Sequence, residues 1–264
     1  MDGAGLRMGG LFDRDSGRSF ITAFDHGLAL RVPPEAGGAV EVVEKIVSGE
    51  PDGVLISPGL LKQAGHHFAF RGAPVPIVRT DMTLLDERVE DLGEQYRVLA
   101  SPREAAALGA GAVVMYLILG PETGAQFADN AQAVARAARE AHEVGLPIIV
   151  EATLWGSRIA EKKDPDLLAF GCRMAAELGA DVVKTEYTGD PETMREVVEA
   201  CPVPVLTLGG AKGGSEEDVL RNARGAIEGG AQGLIFGRNV WQADDVAAMS
   251  ASLREVVHGV SVRG

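Results

Sequence analysis

The chain has 264 residues, 46% of them hydrophobic and 24% charged, which is enough for a full core in one large domain or two small ones. The formal net charge of −13 argues against binding to nucleic acid or to an anionic membrane, because both are negatively charged. Met1–Arg18 lacks the apolar stretch of a signal peptide, and the longest apolar run, Ala112–Leu119, is too short to span a bilayer. Cys172 and Cys201 have no metal-ligand spacing and are expected to be free, buried thiols, so we predict a cytoplasmic protein.

Short apolar runs rich in Val, Ile and Leu recur along the chain and alternate with helical patterns. Such runs are typical of strands that are buried on both faces. The predicted strands are Ser19–Phe24, Gly53–Ile56, Pro76–Val78, Ala112–Leu117, Pro147–Ala152, Asp181–Lys184, Val203–Thr207 and Gly233–Phe236. The predicted later helices are Asn130–Val144, Asp166–Leu178, Glu192–Ala200, Ser215–Gly229 and Asp244–Val257. The least regular segment, Arg79–Ser101, fits an extra helix or a substrate loop.

Helix boundaries carry clear local signals. Ser-Pro or Asp-Pro pairs precede several helical patterns, and glycine follows several of them before the next strand, as in the loops that join helices to strands. About eight strand–helix units fit the length of a (β/α)₈ barrel. A doubly wound sheet often has a glycine-rich turn after its first strand. Here Asp25-His26-Gly27 follows the first strand, and the glycine-rich turns follow the last two. We therefore predict an α/β fold, a (β/α)₈ TIM barrel in a single domain over residues 1–264.

Polar side chains follow most of the predicted strands. In such barrels the chemistry lies at the C-terminal ends of the strands, so these residues gather on one rim. In chain order they are Asp25 and His26; Ser57; Arg79, Thr80 and Asp81; Glu151, Thr153 and Trp155; Lys184, Glu186 and Tyr187; Lys212; and Arg238 and Asn239. The set includes candidates for acid–base, nucleophilic and anion-binding roles.

The loops after the last two strands predict a phosphate site. Loop 208–215 contains Gly209, Gly210 and Lys212, and Gly237-Arg238 follows the final strand. The glycines allow backbone N–H groups to approach a ligand, and Arg238 offers a bidentate contact. The glycines alone would be compatible with simple turns. Because both loops agree, phosphate binding is favoured, and Lys212 and Arg238 would supply the positive charge that the acidic surface lacks.

Lys184 ends the sixth predicted strand and has two interpretations. It is either a solvated strand end or an amine whose burial favours the neutral, nucleophilic form. The barrel mouth and the predicted proximity of Arg238 and Lys212 favour the second interpretation, in which the amine forms an imine with a ketone or aldehyde. Asp25, at another strand end, is a candidate for proton transfer, although Asp-His-Gly is also typical of a turn. His26 could share that role or be a hydrogen-bonded structural group.

Four motifs, in order along nearly the whole chain, resemble the archaeal-type class I fructose-bisphosphate aldolase family. They are Phe24-Asp25-His26-Gly27, Val183-Lys184-Thr185 with Tyr187, Gly209-Gly210-Ala211-Lys212 and Gly237-Arg238-Asn239-Val240. This family is grouped with deoxyribose-phosphate aldolase and the autoinducer-2 thiolase. The resemblance implies a barrel, a Schiff-base lysine at Lys184, an acid–base aspartate at Asp25 and phosphate binding by the last two loops. It also implies a homo-oligomer, with a pentamer or decamer as candidates.

The sequence departs from this family after the fifth strand. Fructose-bisphosphate aldolases of the family have Tyr-Pro-Arg-Gly there, with a tyrosine that transfers a proton, and this chain has Thr153-Leu154-Trp155-Gly156. Glu151, Glu186 and Tyr187 are the candidates to replace the tyrosine. Together with Asp25 and Lys184, the candidate substrate pocket comprises His26, Glu151, Thr153, Trp155 and Tyr187.

The leading hypothesis is a metal-independent Schiff-base aldolase, a lyase that acts on a phosphorylated ketose with dihydroxyacetone phosphate as the imine-forming partner. It needs no cofactor beyond the lysine imine. One alternative is a thiolase-like acyl transferase acting on a phosphorylated diketone with coenzyme A, and another is a barrel that binds sugar phosphates without turnover. A metal aldolase is disfavoured because His66, His67 and His142 do not follow predicted strands in a metal-ligand pattern.

Overall fold

The computed structural model describes residues 2–29, 32, 37–83, 95–212 and 214–259. Eight parallel strands form a closed barrel in the order β1-β2-β3-β6-β7-β8-β9-β10, and β10 pairs with β1. The barrel strands are β1 (Ser19–Phe24), β2 (Gly53–Ile56), β3 (Val75–Arg79), β6 (Ala112–Ile118), β7 (Ile148–Thr153), β8 (Val182–Glu186), β9 (Val205–Leu208) and β10 (Gly233–Phe236). The prediction of a TIM barrel is confirmed.

One helix, α1 (Gly3–Leu11), precedes the first strand, and the other helices follow barrel strands and pack on the outside of the sheet. These are α2 (Ala39–Ser48), α3 (Pro58–Ala64), α4 (Pro102–Ala107), α5 (Gly124–Glu143), α6 (Pro165–Glu177), α7 (Pro191–Ala200), α8 (Glu216–Glu228), α9 (Arg238–Trp241) and α10 (Val246–His258). Within the described part of the chain, none of these helices has both the length and the apolar character needed to cross a membrane.

The predicted helix starts are confirmed at their caps. The side chains of Ser101, Asp164, Asp190 and Ser215 each accept a hydrogen bond from a backbone N–H in the first turn that follows. Helix α5 begins at Gly124, earlier than the predicted start at Asn130. The reason is a capping box, in which Thr123 accepts from Gln126 N and the Gln126 side chain accepts from Thr123 N. It starts the helix despite the glycine in its first turn.

Strand alternation separates a small apolar lumen from a larger outer core. The lumen holds Ile21, Leu55, Ile77, Ile149 and Val182, together with other side chains of the same parity. Leu11 of α1 is buried against this cluster and belongs to the lumen rather than to the outer core. Side chains of the opposite parity point outward and pack under the helices. Toward the carboxyl ends of the strands, the lumen changes from apolar to charged residues.

Strand register places the key lumen residues side by side. Tyr116 of β6 pairs with Glu151 of β7, Glu151 pairs with Lys184 of β8, and Lys184 pairs with Leu206 of β9. One step nearer the mouth, Ile118 pairs with Thr153. Since paired residues of neighbouring strands lie side by side with their side chains on the same face, Tyr116, Glu151 and Lys184 form one row across the sheet.

The irregular segment between β3 and α4 contains a hairpin. Strands β4 (Asp81–Thr83) and β5 (Tyr96–Val98) pair antiparallel, with Asp81 opposite Val98. The predicted extra helix or substrate loop falls mainly on residues 84–94, which lie outside the described residues.

Candidate active site

Lys184 lies in the lumen of the barrel, at the level where its lining becomes polar. Its side chain is 7% exposed, and Nζ lies 2.8 Å from Glu151 Oε1 on the neighbouring strand. Burial in the row with Tyr116 and Glu151 rules out the solvated strand end as a description of this lysine. The amine is held by the carboxylate of Glu151.

Arg79 links three acidic side chains near this amine. The guanidinium is 1% exposed, and its Nε donates to Asp25 Oδ2 at 2.8 Å. Its Nη2 donates to Glu151 Oε2, and its Nη1 lies 3.5 Å from Asp81 Oδ1. Glu151 therefore connects the two cations, with Arg79 on one carboxylate oxygen and Lys184 on the other. This network fixes the position of Glu151 and thereby that of the lysine amine.

Asp25 and His26 follow β1, and they differ in charge at neutral pH. Asp25 is at the start of a short 3₁₀ turn, yet its side chain makes no capping bond and points to Arg79. Burial raises its pKa, but the charges of Arg79 and Lys184 outweigh that effect, so the pKa is lowered overall. Burial lowers the pKa of His26 to about 4, against the charge of Asp25. At neutral pH Asp25 is thus an anion, whereas His26 is neutral.

Two aromatic side chains, Tyr116 and Trp155, pack together next to Arg79. The guanidinium carbon of Arg79 lies 3.7 Å from the centroid of the Tyr116 ring, a cation–π contact that holds both groups. The Trp155 ring lies 5.2 Å from that of Tyr116 and is half-buried nearer the mouth. Burial raises the pKa of the Tyr116 phenol well above its usual value, although Arg79 lowers it.

Thr153 and Glu186 lie together one step nearer the mouth. Thr153 Oγ1 donates to Glu186 Oε1 at 2.9 Å, and both side chains are buried. The other carboxyl oxygen, Oε2, has no hydrogen-bond partner among the described residues. Burial raises the pKa of Glu186 to about 7, while the Thr153 hydroxyl lowers it. Thr153, which stands where the family motif has a tyrosine, is therefore hydrogen-bonded to a carboxyl group.

The loops after β9 and β10 are joined to each other at the mouth. Asn239 Nδ2 donates to the Gly209 carbonyl at 2.7 Å. A Cβ at Gly237 would lie 2.4 Å from His26 Cε1, so only glycine allows this close approach. Gly210 has a φ of 69°, which also favours glycine. Arg238 is half-buried, and its Nε has no partner among the described residues. These features give a glycine-lined edge with one available guanidinium.

Two predicted site residues lie elsewhere. The Lys212 amine is exposed and donates to the carbonyl of Gln242, on the outer side of the mouth. Tyr187 follows Glu186 and so has the opposite parity, and its hydroxyl packs against Gly225 of α8. It belongs to the outer core rather than to the mouth. Gly213, which completes the predicted phosphate loop, lies outside the described residues.

The histidines outside this site are not arranged as metal ligands. His66 and His67 stack on each other in a 3₁₀ turn, with ring centroids 4.0 Å apart, and His142 pairs with Asp181 at 2.9 Å. In the ranges that the structure describes, no three His, Cys, Asp or Glu side chains are grouped as a metal site.

A family model decides the relationship. The model described as DeoC/LacD family aldolase matches residues 19–243. The chain belongs to this aldolase family. Lys184 and the groups around it therefore lie in the barrel of a Schiff-base aldolase, a lyase, and the predicted enzyme class is confirmed.

Relatives of this aldolase have defined names. The chain is 34% identical to the class 1 fructose-bisphosphate aldolase of Thermoproteus tenax over 251 residues, which cover 92% of this chain and 90% of the relative. It is 32% identical over 260 residues to the 2-amino-4,5-dihydroxy-6-oxo-7-(phosphonooxy)heptanoate synthase of Streptomyces griseus, covering 98% and 92%. A solved archaeal fructose-1,6-bisphosphate aldolase, with its catalytic lysine covalently bound to the carbinolamine intermediate of the substrate, matches with a TM-score of 0.82 and 29% identity, covering 96% of this chain and 99% of that one.

Sequence reasoning overlooked two residues of the aldolase site. Arg79 follows a predicted strand, but the sequence pattern indicated no function for it. Tyr116 lies within an apolar run that was predicted only as a strand. Each carried a usable signal. A charged residue at the end of a fully apolar strand needs buried partners, and Tyr116 shares the parity of its lumen-facing neighbours on β6.

Proposed function

We propose that Lys184 is the nucleophile of a class I aldolase that makes or cleaves a C–C bond beside a phosphorylated ketone. We further propose dihydroxyacetone phosphate as the partner that forms the imine. The observation that carries this proposal is the buried Lys184–Glu151 pair, 2.8 Å between Nζ and Oε1, on the same rim as the β9 and β10 loops. The chemistry is carried by protein side chains and needs neither a metal nor an organic cofactor.

Glu151 is placed to activate the amine. It accepts the ammonium proton from Lys184, and the neutral nitrogen then attacks the ketone carbon. The carbinolamine loses water to give a protonated imine, which withdraws electrons from the neighbouring carbon. Arg79 remains bonded to the other Glu151 oxygen throughout and keeps the carboxyl group in place.

Asp25 serves as a hydrogen-bond acceptor. Its lowered pKa makes it an anion at neutral pH, so it suits a substrate hydroxyl or the carbinolamine hydroxyl, whose proton it can hold. His26, neutral and packed against Gly237, supports the approach of the β10 loop. The phosphate group then lies on the backbone at Gly209, Gly210 and Gly237, with Arg238 as its counter-charge.

The relatives support a phosphorylated ketose and leave the aldehyde open. One relative is named for fructose bisphosphate, and the other for a product with an oxo group beside a phosphonooxy carbon. Both names describe a phosphorylated ketone joined to a hydroxylated chain. We therefore favour an aldol reaction over the thiolase-like transfer to coenzyme A and over binding without turnover.

Reductive trapping tests the nucleophile. The protein is incubated with dihydroxyacetone phosphate and borohydride, and the adduct is mapped by mass spectrometry. We expect it on the peptide that contains Lys184, and we expect it to be absent in K184M and unchanged in K212M, a matched lysine on the outer side of the mouth. No Lys184 adduct with dihydroxyacetone phosphate or other phosphoketoses would refute the proposal.

We also propose one domain, a homo-oligomer and a cytoplasmic location. The described helices surround one barrel, and both cysteines are free and buried, which fits a reducing compartment. Leu167 and Phe170 of α6 are 38% and 56% exposed, and such side chains suit an interface between copies. Light scattering tests the assembly, with a pentamer or decamer as the expected mass.

A further inference from the structure

We propose that Glu186 is the acid–base catalyst of the C–C bond step, in the role that a tyrosine fills in the family motif. This inference rests on the proposed function, because it takes the Lys184 imine as given. In the condensation, the enamine carbon on Lys184 attacks the aldehyde carbon and the C–C bond forms. The aldehyde oxygen takes the proton from Glu186 and becomes a hydroxyl. The C=C electron pair of the enamine forms the new bond, and the nitrogen lone pair forms the C=N bond of a protonated imine. Cleavage runs these transfers in reverse.

Position is the first argument. Glu186 is two residues beyond Lys184 on β8, so the two side chains share the lumen face, with Cα atoms about 6.6 Å apart along the strand. Glu186 is the one nearer the mouth. The aldehyde carbon is two bonds away from the imine carbon, so the acid must lie close to Lys184 but away from its nitrogen. Glu186, one step along the lumen face, meets this condition. Glu151 is paired with the lysine nitrogen itself, so it is placed at the imine rather than at the aldehyde oxygen.

Hydrogen bonding is the second argument. Thr153 Oγ1 donates to Glu186 Oε1, which orients the carboxyl group and leaves Oε2 to carry the proton. Oε2 has no partner within the described ranges, although the residue is only 6% exposed. A buried polar atom without a partner is costly, and such atoms are concentrated where a ligand completes the bonding.

The surrounding charges set the protonation of Glu186. Burial raises its pKa to about 7, the Glu151 carboxylate also raises it, and Thr153 and Lys184 lower it. From α6, the Cys172 thiol lies behind the strand, and burial raises its pKa, so it stays neutral. A carboxyl group with a pKa near 7 can both donate and accept a proton at neutral pH, as the two directions of an aldol reaction require.

Tyr116 is the competing candidate. It lies in the lysine row and carries a phenol, like the family tyrosine. Its ring is stacked on Arg79 and covered by Trp155. Burial raises its pKa well above 10, farther from neutrality than that of Glu186. The geometry therefore points to Glu186, and Y116F provides the direct comparison.

The test separates imine formation from C–C bond formation. One sample each of wild-type protein, E186Q and Y187F is trapped with dihydroxyacetone phosphate and borohydride. A separate, untreated sample of each is assayed for condensation of dihydroxyacetone phosphate with an aldehyde that the wild type accepts, glyceraldehyde 3-phosphate being tried first. We expect E186Q to trap at Lys184 as the wild type does, but to lose condensation by about 10²–10⁴-fold. Y187F alters the adjacent, outward-facing side chain and is expected to match the wild type in both assays.

The pH profile excludes a merely structural role. Condensation needs protonated Glu186, so kcat should fall as the pH rises above about 7, and cleavage should fall below it. The Thr153 hydroxyl lowers the pKa of Glu186. In T153V, the pH above which kcat for condensation falls (the alkaline limb of the profile) should therefore move to higher pH. E186D, which keeps a titrating carboxyl group, should keep the limb at a lower kcat and also shows that the site tolerates substitution.

The two proposals fail in different ways. E186Q that traps normally and condenses within a few-fold of the wild type overturns the role of Glu186 and leaves the Lys184 imine intact. Loss of the limb in Y116F, with the limb retained in E186Q, assigns the role to Tyr116 instead. No Lys184 adduct in the wild-type protein overturns the proposed function, and the role of Glu186 with it.

Discussion

Replacing Arg79 by methionine should destabilise the barrel in a pH-dependent manner. The guanidinium is 1% exposed and bonds Asp25 and Glu151, with Asp81 at 3.5 Å. Glu151 keeps Lys184 as a partner in the variant. Among the described residues, Asp25 keeps a contact of 3.9 Å to His26, which is neutral at pH 7, and the more distant charge of Lys184. Removing one partner of a buried ion pair costs about 3–5 kcal/mol, because the remaining charge is left buried. We expect a loss of this size in the free energy of unfolding of R79M at pH 7.

The sign of the pH dependence follows from Asp25. In the wild type its folded pKa lies below the usual 3.8, so the stability it contributes is present above that pH and is lost as the pH falls. Without Arg79, we expect burial to outweigh the remaining charge of Lys184, so that the folded pKa of Asp25 rises above that of the unfolded chain. The unfolded chain then releases its proton first, and the stability of R79M decreases as the pH rises above about 4. The difference between R79M and the wild type should therefore be largest at pH 7 and shrink toward pH 4.

Urea denaturation at pH 7 and pH 4.5, followed by circular dichroism, measures this difference. R254A is the matched control, since Arg254 pairs with Glu50 at 2.8 Å on the exposed surface and should contribute less than about 1 kcal/mol. A loss in R79M that is no larger than in R254A, or one that is equal at both pH values, would contradict the argument that Arg79 neutralises buried carboxylates.

Two further predictions concern an outer contact and the phosphate loop. G225A should lower the free energy of unfolding by about 1–3 kcal/mol, because its Cβ would lie 2.3 Å from the Tyr187 hydroxyl oxygen. The double variant G225A/Y187F lacks this oxygen and should recover part of the loss in a denaturation experiment. R238A should raise KM for dihydroxyacetone phosphate by about 10–100-fold, the equivalent of a hydrogen bond to a charged group, and leave KM for unphosphorylated dihydroxyacetone unchanged; equal effects on both donors would exclude a phosphate contact.

The fold was predictable because its signals are local. Each barrel strand is a short apolar run, and most boundaries differ from the prediction by one or two residues, as at Ile148–Thr153. Capping side chains such as Asp164 and Ser215 mark helix starts through bonds to residues three positions away or fewer. The hairpin of β4 and β5 was not predicted, because each strand has only three residues and Arg97 and Val98 are exposed.

The site was predictable only in part, because its electrostatics depend on several strands at once. Lys184 and Asp25 could be chosen from strand ends. Tyr187 was expected in the pocket, although its odd spacing to Lys184 places it on the opposite face of the strand, and its packing against Gly225 depends on the position of α8. The role of Arg79 depends on carboxylates 54 and 72 residues away in sequence, at Asp25 and Glu151. No local pattern specifies such a network.

The environment, rather than residue type, distinguishes the carboxyl groups of this lumen. Asp25 and Glu186 are both buried, so desolvation raises the pKa of each. Asp25 is hydrogen-bonded directly to Arg79, and that charge lowers its pKa overall. The side chain of Glu186 accepts a hydrogen bond from the neutral hydroxyl of Thr153 instead, and burial raises its pKa to about 7. Because their pKa values are shifted in opposite directions, one carboxyl group can accept a proton while the other donates one. A threonine at position 153 is then not simply a lost tyrosine, because its hydroxyl orients the carboxyl group that can replace it.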